Sequence, residues 1–122
     1  MGKCVMIVDD SSSVRTVVGI ALRGAGYEVL EASDGSDALK KLGGQKIHLI
    51  ISDVNMPGMD GLTFLKELKK LAAFKFTPVM MLTTETAADK VAVGKAEGAR
   101  AWMTKPFQPE QMLSAVQKLV LP

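Results

Sequence analysis

The sequence predicts a single α/β domain, a five-stranded parallel sheet doubly wound by helices on its two faces. Five short apolar segments alternate along the chain with stretches of helical spacing, the pattern of such a sheet. The central segment, Leu49 to Ile51, is an unbroken apolar run too short for a helix, as expected of a strand buried on both faces. The 122 residues suffice for one proper core and are too few for two.

The first strand is Cys4 to Val8, ending at Asp9 and Asp10. Ser11, Ser12 and Ser13 offer N-caps for a helix whose apolar positions Val14, Val17, Val18, Ala21 and Leu22 follow helical spacing, with Gly26 as its stop. Glu28 to Ala32 is a weaker second strand, after which Asp34 caps a short helix carrying Ala38, Leu39 and Leu42, terminated by Gly43-Gly44. The third strand delivers Asp53 to a turn that Pro57, Gly58 and Gly61 punctuate. A helix follows with Leu62, Leu65, Leu68 and Leu71 on one side and Lys66, Lys69 and Lys70 elsewhere. Pro78 opens the fourth strand, Val79 to Leu82, ending at Thr83-Thr84-Glu85. The next helix, Ala87 to Glu97, is rich in small residues and should be the least firmly packed, a candidate moving part. Ala101 to Met103 is the last strand, ending at Thr104-Lys105-Pro106, and Pro109 starts a final helix with Met112, Leu113, Val116 and Leu119 inward.

Composition narrows the function classes. A 48% hydrophobic and 23% charged chain is that of a soluble globular protein, and no apolar run approaches the ~20 residues of a membrane span. Met1-Gly2-Lys3 leads directly into a strand with no signal peptide, so a cytoplasmic protein with no membrane partner is expected. The net charge of +2, with basic residues scattered, argues against nucleic acid as the main partner. A lone cysteine, Cys4, excludes an internal disulfide and a multi-thiolate metal site and reads as a buried small hydrophobe. The only histidine, His48, precedes the third strand as a surface or edge residue and leaves no Ser-His-Asp triad to build elsewhere. Met56, Met59, Met80 and Met81 read as packing, Gly24-Ala25-Gly26 follows a helix and lacks the third glycine of a dinucleotide loop, and no Walker loop is present. The chain stops just after the last helix, so residues 1–122 are expected to be one domain without an attached output domain, acting as a monomer.

Asp53, read alone, either performs chemistry beyond the carboxyl end of its strand or caps the following turn. The wider pattern is more informative. Strands one, three, four and five end in Asp9-Asp10, Asp53, Thr83-Thr84 and Lys105, and a parallel sheet brings those ends together. Clustered carboxylates repel one another and raise each other's pKa, an arrangement that makes sense around a hard divalent cation. Mg²⁺ fits best, because it takes oxygen ligands, keeps several waters and pairs one or two carboxylates with phosphate oxygens. Lys105 and a Thr hydroxyl would complement phosphoryl oxygens.

Four segments, IVDDSSSVR, ISDVNMPGMDG, MLTTE and TKPF, resemble the signature segments of bacterial two-component response-regulator receiver domains, in particular single-domain chemotaxis receivers of the CheY type. Each segment alone is weak, but the four in order at the right strand ends are specific, and the likeness spans essentially the whole chain. The resemblance implies a flavodoxin-like sheet of order 2-1-3-4-5, the order familiar from CheY itself. It implies that Asp53 takes a phosphoryl group from a phosphohistidine on a sensor histidine kinase, that Asp10 and Asp53 bind Mg²⁺ with the backbone carbonyl of Asn55, and that Asp9 holds its waters. Thr83 would close onto the phosphoryl group, Lys105 would pair with it, and the Lys105-Pro106 peptide would be cis. Thr83 would couple to Trp102, three residues before Lys105, where Tyr or Phe is more usual; a plain core or surface Trp is the alternative. Thr84 is bulkier than its usual counterpart and would slow labelling by small phosphodonors, while Asn55 and Glu85 would tune attack of water on the acyl phosphate.

The chemotactic reading makes the flagellar motor switch the protein target, contacted through the Ala-rich helix, the last strand and the last helix. A non-chemotactic receiver, serving as a phosphate sink or docking module, is a second reading. An Mg-dependent phosphatase with an Asp nucleophile is a third, weakened because Asn55 stands where its general acid would be and no cap domain is present.

Overall fold

Val5 to Val8, Leu49 to Asp53 and Val79 to Thr83 are each buried along their whole length, so both faces of the central sheet must be covered. The computed structural model describes residues 3–43, 46–54, 56, 58–83, 98–105 and 108–120. The expected helix from Ala87 to Glu97, together with Asn55, Pro57, Thr84, Glu85 and Pro106, lies outside them.

Five strands, β1 (Cys4–Val8), β2 (Glu28–Ala32), β3 (Leu49–Asp53), β4 (Val79–Thr83) and β5 (Ala101–Thr104), form one parallel sheet in the order β2-β1-β3-β4-β5. Helices α1 (Ser12–Gly24), α2 (Gly35–Lys41), α3 (Gly61–Lys69) and α4 (Pro109–Leu119) are described, with a 3-10 turn at Ala72–Phe74. The strand pleat sends alternate residues to opposite layers. Met6, Val8, Ile50 and Met81 meet Ala38, Phe64, Leu65 and Leu68 of α2 and α3. Val5, Ile7, Leu49, Ile51, Met80 and Leu82 meet Val18 and Leu22 of α1 and Met112 and Val116 of α4.

Helix starts follow local chemistry. Ser11, Asp34 and Asp60 each accept a backbone N–H from the first turn, at 3.3, 2.8 and 2.8 Å, and Pro109 occupies the first turn of α4. Gly26 ends α1 with φ 95°, a conformation that favours glycine. Three packing expectations are corrected. Val17 is 52% exposed, because the buried stripe of α1 runs through Val18 and Leu22 and Val17 lies off it. Leu71 lies beyond the end of α3 and is exposed, and Phe64 fills the core instead. Cys4, at the sheet's rim, is only partly buried.

The edge strand β2 is half-buried and carries Glu31, whose carboxylate meets Arg15 at 3.3 Å and Arg23 at 3.7 Å. Lys41 Nζ donates to the Glu31 carbonyl at 2.8 Å.

Candidate functional site at the carboxyl ends of the strands

Asp9 immediately follows β1 and is almost completely buried. Its Oδ1 accepts the Ser11 N–H at 2.9 Å, a local turn of the kind Asp favours, and its Oδ2 accepts from Lys105 Nζ at 2.8 Å. Its backbone is pinned as well, since its N–H donates to Ala32 O and its carbonyl accepts from the Arg15 guanidinium. The Asp9 carboxylate is thereby fixed from two sides, and Asp10 beside it is exposed.

Asp53 is the last residue of β3 and is itself buried, rather than standing on the turn beyond the strand. The reason is the close approach of α3. The Gly61 N–H donates to Val54 O at 2.9 Å, and a Cβ on Gly61 would fall 2.0 Å from the Asp53 carbonyl oxygen, so only glycine lets the helix start against the strand end. Lys105 Nζ lies 3.5 Å from Asp53 Oδ2. It reaches both carboxylates because the Lys105 N–H donates to Thr83 O at 2.8 Å, tying the end of β5 to the end of β4. Thr83 is fully buried as the final residue of β4.

Electrostatics follow this burial. Desolvation, and then the charge of Asp9, push the Asp53 carboxyl above the usual aspartate range, with Lys105 and the Val54 backbone pulling the other way. Burial alone would lower Lys105, but its hydrogen bond to Asp9 and the charges of Asp9 and Asp53 outweigh it and raise its pKa.

One carboxylate oxygen from each of Asp9, Asp10 and Asp53 lies within 4.8 Å of the others. This all-oxygen donor set suits a hard divalent cation, and a cation would relieve the unfavourable charge on buried Asp53. Both Asp9 oxygens already accept hydrogen bonds, which leaves Asp10 and Asp53 the better placed to ligate directly. Of the sequence-predicted site residues, Asp9, Asp10, Asp53 and Lys105 come together, with Thr83 at the neighbouring strand end; Asn55, Thr84 and Glu85 lie outside the described residues.

Trp102 stands in β5 opposite Met81 and packs, half-buried, against the layer of α2 and α3. Its indole Nε1 is buried and finds no hydrogen-bond partner among the described residues. Sequence reasoning overlooked Arg15, Ser11 and Gly61 as supports of the site. The Asp9-x-Ser11 spacing was a usable signal for the turn; nothing local signalled the other two.

The parallel sheet of order 2-1-3-4-5, with carboxylates and a lysine converging at its carboxyl end, is the architecture of a receiver, and the chain belongs to the response regulator receiver domain family, which it matches over residues 5–117. Among solved structures it is similar to the chemotaxis response regulator CheY4 of Vibrio cholerae, at 47% identity and a TM-score of 0.93 over 98% of this chain and 99% of that one. A response regulator of Chloroflexus aurantiacus gives a TM-score of 0.92 at 32% identity, covering 98% of each chain. Protein PilG of Pseudomonas aeruginosa is 36% identical over 95% of this chain and 86% of its own length. The alkaline phosphatase synthesis regulator PhoP of Bacillus subtilis is also 36% identical over 98% of this chain, which spans only 49% of that protein. The chain is therefore a phosphorelay response-regulator domain of the two-component kind, a signalling module, and receiver domains of this family exchange signals with histidine kinases and downstream targets. Among the described residues, no helix is long and apolar enough to cross a membrane.

Proposed function

We propose that Asp53 is the phosphoryl acceptor of this receiver and that the chain signals by protein contact in chemotaxis. The observation that carries the first part is the Lys105 ammonium set between Asp9 and Asp53 at the carboxyl end of the sheet. Phosphoryl transfer needs positioning and charge neutralisation more than covalent machinery, and this arrangement supplies both. An Asp53 oxygen forms the new bond to phosphorus as the bond to the donor histidine's nitrogen breaks, its electron pair remaining on the imidazole. Lys105, close to Asp53, would neutralise the transferred oxygens, and Thr83, at the adjoining strand end, would hydrogen-bond them. Mg²⁺, held by Asp10, Asp53 and the Asn55 carbonyl with Asp9 orienting its waters, would neutralise charge on the phosphoryl group. Glu85, Thr84 and Asn55 then tune the lifetime of the acyl phosphate.

Phosphorylation adds nearly two negative charges beside Thr83, and Thr83 and Trp102 transmit the change to the face of β5 and α4. The indole N–H of Trp102, without a partner among the described residues, supports this reading, because a buried unsatisfied donor gives the ring an incentive to move. Likeness to the chemotaxis protein CheY4 supports the flagellar motor switch as the target.

Incubation with Mg²⁺ and acetyl phosphate, or with a phosphorylated sensor kinase, followed by intact mass and Trp102 fluorescence, tests the proposal. A single phosphate adduct lost in Asp53→Asn, with a coincident fluorescence change, is expected. An adduct with silent fluorescence would remove Trp102 from the switch. No adduct from any donor would leave a docking module.

A further inference from the structure

The opposite pole of the sheet has its own chemistry. Lys3, His48, Pro78 and Arg100 immediately precede β1, β3, β4 and β5, so the parallel sheet gathers them at its amino end, away from Asp53. They line a cleft of about 250 Å³ with Lys46 and Phe76. A second cleft of about 490 Å³ shares Lys46, Phe76 and Pro78 and continues along Ile47, Ala72 and Phe74. The groove thus has a cationic half and an apolar half that meet at Phe76, whose side chain is 78% exposed. Lys75 Nζ stands 5.7 Å from the centre of that ring.

Among the described residues, no ion pair neutralises the positive charge here, since Lys3, Lys46 and Arg100 enter none. Its field is felt by the neighbours. Burial and then the charges of Lys3 and Lys46 hold His48 below the usual histidine range although Glu28 acts in the other direction, and burial with Arg100 lowers Lys69. Three like charges lining one cleft make it a favourable seat for an anion.

We propose that this groove binds a nucleotide-class ligand, its phosphates among Lys3, Lys46 and Arg100 and its base against Phe76 and the apolar cleft. Ammonium and guanidinium groups are the natural partners of phosphate, and an exposed aromatic face takes a flat heterocycle. The larger cleft has the volume of a small-molecule site and shares Lys46, Phe76 and Pro78 with the smaller, which fits a compact two-part ligand better than an extended chain. Such a ligand would act from the end of the sheet remote from the phosphoryl site.

The test is an amide NMR titration of the full chain in metal-free buffer, with ATP and separately with pyrophosphate. Saturable shifts at Lys3, Lys46, Phe76 and Arg100 are expected with both anions. Arg100→Ala should weaken both, and Phe76→Ala should weaken ATP about tenfold, from the loss of one stacking contact, while leaving pyrophosphate unchanged. The two side chains are exposed, so both variants keep the fold. Absence of saturation at millimolar ATP would overturn the proposal, as would equal ATP affinity in wild type and Phe76→Ala. Tighter binding of a peptide of alternating Glu and Leu than of ATP would also overturn it and make the groove a protein-docking site.

Discussion

The Nζ of Lys105 sits 2.8 Å from Asp9 Oδ2 and 3.5 Å from Asp53 Oδ2, so one cation serves two buried carboxylates from different strands. Lys105→Met leaves Asp9 buried with, among the described residues, only the Ser11 N–H for compensation, and is expected to cost about 3 kcal/mol in urea denaturation at neutral pH. Because folding raises the Lys105 pKa, its contribution is fully present below the ordinary lysine value of ~10.4 and is lost as pH rises beyond it. The same variant should abolish or severely slow phosphate incorporation. Unchanged stability would mean that the Ser11 amide satisfies Asp9 alone.

Asp53 is linked in the opposite sense. Its pKa is raised by folding, so its carboxylate costs stability above the ordinary aspartate value of ~3.9, and that cost disappears as pH falls below it. Asp53→Asn is therefore expected to melt at a higher temperature than wild type at pH near 7 in metal-free buffer, and at the same temperature below about pH 4. Added Mg²⁺ should raise the wild-type melting temperature more than that of the variant. A lower melting temperature for the variant at neutral pH would show that Lys105 already outweighs burial.

Gly61 and Gly35 make a contrasting pair. An added Cβ at Gly61 meets backbone, the Asp53 carbonyl, whereas at Gly35 its nearest contacts are the Met59 Cγ and Sδ at 2.8 and 2.9 Å, with Phe64 Cβ also at 2.9 Å. Gly61→Ala should cost about 3 kcal/mol and Gly35→Ala less, because a methionine can turn away and a strand end cannot. Gly61→Ala should also slow phosphorylation, since the displaced atoms carry Asp53. Chemical denaturation of the two variants ranks them directly.

His48 ties the starts of two strands together, its Nδ1 accepting the Cys4 N–H at 3.0 Å. Burial and the charges of Lys3 and Lys46 depress its pKa, so folding favours the neutral ring and stability is lost as pH falls below the ordinary histidine value of ~6.5. Melting temperatures at pH 7.5 and pH 5.5 should therefore fall further for wild type than for His48→Gln. Parallel behaviour of the two proteins would remove His48 from the acid response.

Much of the fold was legible because its signals are local. The apolar runs of β1, β3 and β4 mark strands buried on both faces, and Ser11 and Asp34 cap the helices they precede. The convergence of Asp9, Asp10, Asp53 and Lys105 was legible because parallel topology alone brings strand ends together. What escaped depends on tertiary approach. Val17 and Val18 are chemically identical, and only the direction of α1 against the sheet decides that one is exposed and the other buried. Asp53 reads as a turn residue until α3 is seen to close over it at Gly61, and His48 reads as bland until the Cys4 amide is found against it. The expected repulsion among carboxylates shows at Asp53, whose pKa is raised first by burial and then by the charge of Asp9.

The charged dressing of β2 has a consequence for life at high concentration. The Ala32 carbonyl faces β1 and accepts the Asp9 N–H, so the preceding carbonyl of Glu31 points to the open side of the sheet, where Lys41 already occupies it. Arg15 and Arg23 gather at the Glu31 side chain. A strand from another molecule seeking to extend the sheet would have to displace a lysine and lay itself along fixed charges, so this border is guarded against fibre growth in concentrated solution.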